Sequence, residues 1–89
     1  MSLHVIWDPF DDLDGNFRHI EEGGVTRSEV EEVLANPRCW LTLGRSRSSG
    51  FPILFGRTRA GRESAVVFDL ILDDPKTIYP ITAFEPGEP

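Results

Sequence analysis

The alternation of apolar and polar positions divides the 89-residue chain into helical and strand-like stretches. Leu3 to Trp7 is a short, partly β-branched apolar run and predicts an opening strand. Beyond it Phe10, Leu13, Phe17 and Ile20 recur at spacings of three, four and three, which stacks them on one face of a helix. Asp8 would cap that helix with Pro9 at its first position, Gly15 would loosen it around Asp14-Gly15-Asn16, and Gly23-Gly24 would end it. The second helix has the sharpest start in the chain. Thr26 followed by Glu29 is a capping box, and Val25 faces Val30 across it as a hydrophobic staple. Val30, Val33 and Leu34 form its buried side, and Asn36-Pro37 stops it.

After Pro37 the period changes to that of strands separated by turns. Cys39 to Leu43 reads as a strand, Gly44 to Gly50 as a loop, Pro52 to Thr58 as a strand and Arg59-Ala60-Gly61 as a tight turn. Glu63 to Leu72 is the longest strand and is apolar on both faces at Val66-Val67-Phe68, which suits the centre of a sheet. Asp73 to Lys76 is a turn, and Thr77 to Phe84 is a last strand in which Pro80 removes a ladder donor and favours an edge or a bulge. The predicted order is β-α-α-β-β-β-β, an α+β domain with a helical hairpin packed on one face of an antiparallel sheet. Residues 1–84 form this single domain and residues 85–89 a frayed tail.

Composition narrows the functional classes. The apolar run Ala65 to Leu72 is far shorter than the roughly 20 residues of a membrane helix, so no membrane partner is expected. Met1-Ser2-Leu3-His4 does not read as a secretory leader, and the single Cys39 forms no disulfide framework, which together point to a reducing cytoplasm. The formal net charge of −6 argues against nucleic acid only until it is resolved along the chain. Residues 1–36 carry two basic and nine acidic side chains, residues 37–62 carry six Arg and no acid, and residues 63–89 carry one Lys and six acids. The mean hides a purely basic central segment.

That segment carries the candidate chemistry. Arg45 and Arg47 sit in a Ser/Gly-rich stretch, and Arg57, Arg59 and Arg62 flank the next turn, where forked guanidinium donors suit phosphate. The alternative use of these side chains is pairing with the acidic helices of the same chain or of a partner. His19, one turn after Asn16, and Tyr79 on the last strand are candidates for proton transfer in RNA cleavage. Metal sites are not expected: a calcium loop ending at Gly15 would need Phe10 as its first ligand, and neither His4 nor His19 has a second ligand at zinc spacing. Cys39 reads as a buried structural thiol, and no Gly-rich phosphate loop precedes a helix, so no cofactor is expected.

Trp7-Asp8 at the end of the first strand, Asn16, Gly24-Val25-Thr26 with Glu29, Val30 and Val33, then Gly56-Arg57-Thr58, Gly61-Arg62 and Val66-Val67-Phe68 resemble the BrnT family. Those proteins are toxins of type II toxin–antitoxin systems with a RelE-like ribonuclease fold, and the resemblance covers nearly the whole chain. It implies a cytoplasmic bacterial ribonuclease, independent of metal, that inhibits translation and is neutralised by an antitoxin protein. In that frame Arg57 and Arg62 neutralise phosphate, Arg45, Arg47 and Arg59 bind the RNA strand, and His19 or Tyr79 moves a proton. The expected partners are RNA, an antitoxin and a second copy of the chain. The sequence departs from the family at Glu22-Gly23, where Lys-His is usual, at Gly50-Phe51, where an acid-Arg pair is usual, and at Tyr79 to Phe84, which lacks the usual arginines. These departures imply the alternative of a catalytically degenerate scaffold that serves as a protein-interaction module.

Overall fold

The capping box at Thr26 forms as its spacing predicts. Thr26 Oγ1 accepts from the Glu29 amide at 3.1 Å, and Glu29 Oε1 accepts from the Thr26 amide at 3.0 Å, which starts α2 (Arg27–Ala35). The computed structural model describes residues 3–86. Around α2 it arranges β1 (Leu3–Val5), α1 (Asn16–Glu22), a 3-10 helix (Pro37–Thr42), β2 (Gly44–Arg45), β3 (Pro52–Arg57), β4 (Glu63–Asp73) and β5 (Lys76–Phe84).

The strands form one five-stranded sheet in the order β1-β5-β4-β3-β2. Its β2/β3, β3/β4 and β4/β5 pairs are antiparallel, but β1 runs parallel to β5, with Val5 opposite Ile78. The sheet is therefore mixed, which corrects the antiparallel expectation and makes β5 an interior strand. Pro80 is accommodated there by a bulge: Thr82 faces Val67 and Pro80 faces Phe68, leaving Ile81 as the additional residue. Strand β4 occupies the middle of the sheet, as its two-sided apolar run requires.

One sheet face is covered by the helices. Ile20 of α1, Val30, Val33 and Leu34 of α2, Cys39, Leu54 of β3, Val66 and Phe68 of β4 and Ile78 of β5 share a single core cluster. Burial of each large aliphatic or aromatic side chain contributes roughly 1.5–3 kcal/mol. Trp40 closes the cluster at one end, edge-on to Phe68 at 5.4 Å between centroids, with its Nε1–H donated to the Leu34 carbonyl at 2.8 Å. The opposite face carries a smaller cluster of Ile53, Ala65 and Val67 with Ile81 packed against it, and no helix covers it.

Two predicted elements differ. The first helix does not start at Pro9: residues 9–14 form turns, α1 starts at Asn16, and Phe10 and Leu13 stand 65% and 72% exposed. Asp8 acts through Asn16 instead of capping at Pro9. Its amide donates to Asn16 Oδ1 at 2.9 Å and its Oδ2 accepts from the Asn16 amide at 3.0 Å, pinching the loop shut. Gly15 is required at the pinch because a side chain there would collide with that of Asp8. Three loop aspartates, weak helix formers, leave the local helical bias too small to resist. Cys39 to Leu43 likewise is not a strand, because Asn36 caps a helical turn with Pro37 at its first position and accepts from the Arg38 amide at 3.0 Å. The strand begins five residues later than expected, as Gly44–Arg45, inside the stretch read as a loop. Of the expected tail, Glu85 reaches Arg62 at 3.5 Å, and residues 87–89 lie outside the described residues.

Candidate functional site

The β3–β4 turn gathers three of the predicted arginines. Thr58 donates from its amide to the Arg62 carbonyl at 2.9 Å and Gly61 to Thr58 at 2.8 Å, and Gly61, at φ 84°, takes the left-handed conformation that the turn demands. Arg57 lies opposite Glu63 in the ladder, and the two side chains pair at 3.0 Å in solvent. Arg62 folds back over the start of α2, where Nη1 donates to Glu29 at 3.1 Å and Nε approaches Glu85 at 3.5 Å. The Arg59 amide donates to Glu32 Oε1 at 2.7 Å, so glutamates of α2 hold the turn at two points.

This arrangement decides between the two uses of the basic segment at specific residues. Arg57 and Arg62 are neutralised by carboxylates of the same chain, from elements on either side of the acid-free segment. Among the described residues, the side chains of Arg45, Arg47 and Arg59 make no ion pair. Arg45 donates to the Gly50 carbonyl at 2.7 Å, tightening the β2–β3 hairpin, and Arg47 stands exposed at its tip. Arg57 and Arg59 together with Glu32, Ala35 and Asn36 line a shallow hollow of about 240 Å³. A larger hollow of about 390 Å³ on the uncovered face is lined by Phe55, Gly56, Arg57, Glu63 and Pro86.

Tyr79 belongs to a different place. Its hydroxyl donates to Asp8 Oδ2 at 2.5 Å, and that bond, together with burial, pushes the phenol up to about 12 while holding the Asp8 carboxyl below its ordinary value. A phenol so held is a donor at neutral pH and does not serve as a base. Tyr79 stands level with Asp69 on β4, whereas Arg57 stands level with Glu63, a separation of about 20 Å along the strand at 3.3 Å per residue. Tyr79 and the β3–β4 arginines therefore do not form one centre. His19 lies exposed in the last turn of α1 and makes no side-chain hydrogen bond among the described residues. Asn16, one turn before it, is 3% exposed and structural: Nδ2 donates to the Ile6 carbonyl at 3.0 Å and to the Pro80 carbonyl at 2.9 Å.

Cys39 is buried at 4% exposure against Gly56, and burial raises its thiol pKa, which disfavours the thiolate a nucleophile needs. Among the described residues no three His, Cys, Asp or Glu side chains converge on a metal position. Sequence reasoning missed the loop closed by Asp8 and Asn16, which exposes Phe10 and Leu13 among Asp11, Asp12 and Asp14. Its sequence signal was Gly15 beside a run of aspartates, a composition that favours turns over a helix interior. Phe10 packs edge-on to Phe17 at 6.5 Å with the Arg18 guanidinium 5.6 Å from its ring centre, so it rests against α1 while most of its surface faces water. Comparison with known proteins finds no family model, no curated protein and no solved structure that matches this chain.

Proposed function

We propose that this chain is a divergent BrnT-like relative of the toxins of type II toxin–antitoxin pairs, a RelE-like scaffold that binds a protein partner and does not cut RNA. The observation that carries this reading is the neutralisation of Arg62 by Glu29 and Glu85, beside the pairing of Arg57 with Glu63. A guanidinium engaged by carboxylates must exchange those contacts before it can stabilise a phosphate transition state. Tyr79 is similarly engaged with Asp8, and the exposed His19 makes no side-chain hydrogen bond among the described residues. What the acidic half of the molecule offers is a docking surface. Phe10 and Leu13 project from a pinned loop among Asp11, Asp12 and Asp14, which suits a basic amphipathic segment such as an antitoxin helix.

A second reading, RNA binding with cleavage, is favoured by Arg45, Arg47 and Arg59, whose side chains make no ion pair among the described residues. Induction of the protein in a bacterial host, with growth and total RNA followed beside an Arg57→Ala/Arg62→Ala variant, separates the two. The partner-binding reading expects normal growth and intact RNA from both proteins. Growth arrest with cut RNA from the parent, relieved in the double variant, would reject it in favour of the ribonuclease.

A further inference from the structure

The most exposed large apolar side chains among the described residues are Leu41 at 87%, Leu13 at 72% and Phe10 at 65%, and the fold sets them at opposite edges of the sheet. Phe10 and Leu13 belong to the β1 edge. Ile6 continues the β1 pairing by donating its amide to the Ile78 carbonyl, and the loop that follows is closed at Asp8 and Asn16 beside β5. Leu41 belongs to the β2 edge. The Thr42 hydroxyl next to it accepts from the Phe55 amide at 2.9 Å, so the 3-10 helix ends along the outer side of β3, and Leu43, 53% exposed, leads on into β2. The two edges carry opposite charge. Asp11, Asp12 and Asp14 stand exposed around Phe10 and Leu13, whereas Arg38, Arg45 and Arg47 stand exposed around Leu41 and Leu43. None of these six charged side chains makes an ion pair among the described residues. Arg18, which donates to the Phe10 carbonyl and lies over its ring, offsets only one of the three acids. Arg38 and Leu41 are three residues apart on a 3-10 helix and share a side, and Leu43 and Arg45 are two apart on extended backbone and share a face.

We propose that the occupant of the pinned Asp-rich loop is a second copy of the chain, whose Leu41/Leu43 edge seats against Phe10 and Leu13 with its arginines facing the aspartates. The inference rests on the reading of that loop as a docking surface and names what docks there. The chemistry the loop asks for is an apolar segment bracketed by cations, and the chain itself presents one from Arg38 to Arg47. Burying the four side chains removes apolar surface from water, and the opposite charges fix which edge meets which. A twofold arrangement would lay acidic loop on acidic loop or Arg edge on Arg edge, which the repulsion of like charges rejects. The contact is therefore head to tail. Because the two surfaces lie at opposite edges of the sheet, one copy engages a neighbour through each, and association continues beyond a dimer.

Sedimentation equilibrium of the full chain over a range of concentrations tests the assignment. The expected result is a reversible rise in mean mass past twice the 10.0 kDa of the chain. Phe10→Ser/Leu13→Ser and Leu41→Ser/Leu43→Ser should each raise the concentration needed for association by about tenfold or more, with the far-ultraviolet spectrum unchanged because all four side chains face water. Mixed in equal amounts, the two variants should associate again and stop at a dimer, since each supplies the one edge that the other lacks. Neither a folding defect nor unspecific adhesion imitates that result. A parent chain that is monomeric at every concentration overturns the proposal, as does association that neither variant weakens or a mixture as monomeric as its components. Growth and RNA integrity test the docking reading itself, so its failure and the failure of self-association are seen in separate experiments.

Discussion

Arg62 donates from one guanidinium nitrogen to both carboxylate oxygens of Glu29, at 3.1 and 3.4 Å, across 33 residues of sequence. The same Glu29 carboxylate closes the capping box at Thr26, so one side chain both starts α2 and ties the β3–β4 turn to it. A residue selected from the sequence as a phosphate binder is thereby a strut of the fold, and the charge pattern that suggested a ligand is satisfied from within at Arg57 and Arg62.

Loss of that strut has a measurable cost. Arg62→Ala should lower the unfolding free energy by roughly 1–2 kcal/mol, because Glu29 is only 15% exposed at its side chain and keeps its charge without its cation. Glu29→Gln retains the cap acceptor and removes the charge. A double-mutant cycle by urea denaturation should therefore show a favourable coupling of about 1 kcal/mol between the two sites. Strict additivity would deny the pair any energetic role.

Gly56 packs against Cys39 so closely that a methyl group on it would overlap the thiol sulfur. Gly56→Ala should destabilise the protein by about 1–3 kcal/mol through overpacking. Adding Cys39→Ala removes the sulfur and should recover part of that loss. Thermal unfolding of the three variants checks the order: the double variant must lie above Gly56→Ala alone.

Asn16 satisfies two backbone carbonyls and one amide with its side chain while buried at 3% exposure. Asn16→Ala strands those groups, with an expected cost of roughly 2–3 kcal/mol. The variant should also expose the loop at 9–14 to proteolysis under native conditions, since its base is no longer closed. Cleavage no faster than in the parent protein would show that the pinch at Asp8 is dispensable.

The Tyr79–Asp8 bond makes stability depend on pH in two opposite windows. Asp8 in the folded state lies below its ordinary value of 3.8, so its contribution is complete above that pH and is lost as pH falls through the lower folded value. Tyr79 is raised from 10.0 to about 12, so its contribution is complete below pH 10 and is lost as pH climbs from there to about 12. Tyr79 is the one tyrosine in the chain, and its absorbance titration should have a midpoint near 12 in the folded protein. Tyr79→Phe should flatten the alkaline arm of the stability profile and raise the Asp8 carboxyl back toward its usual range. A midpoint at the ordinary value of 10.0 would contradict the bond.

Much of the fold was legible in short windows of sequence. The capping box at Thr26 and Glu29, the two-sided apolar run of β4 and the boundaries of β3 and β5 all rest on neighbours a few residues apart, where propensity and periodicity act directly. The candidate site was legible only as a composition. Six arginines without an acid marked where cations concentrate, but no local pattern states which of them meet a carboxylate from another element.

By itself, then, the sequence determined the α+β class, the start of α2, the central strand and the place of the basic segment, because those depend on side-chain period and local capping. Only the tertiary structure decided that β1 lies parallel beside β5, that Asn16 meets the Pro80 carbonyl and shortens the first helix, and that Glu29 takes Arg62. Each of those rests on groups between 33 and 73 residues apart. An aspartate, asparagine or arginine has several local uses of nearly equal energy, and the choice falls to whichever distant partner the packing of the core brings within hydrogen-bonding distance.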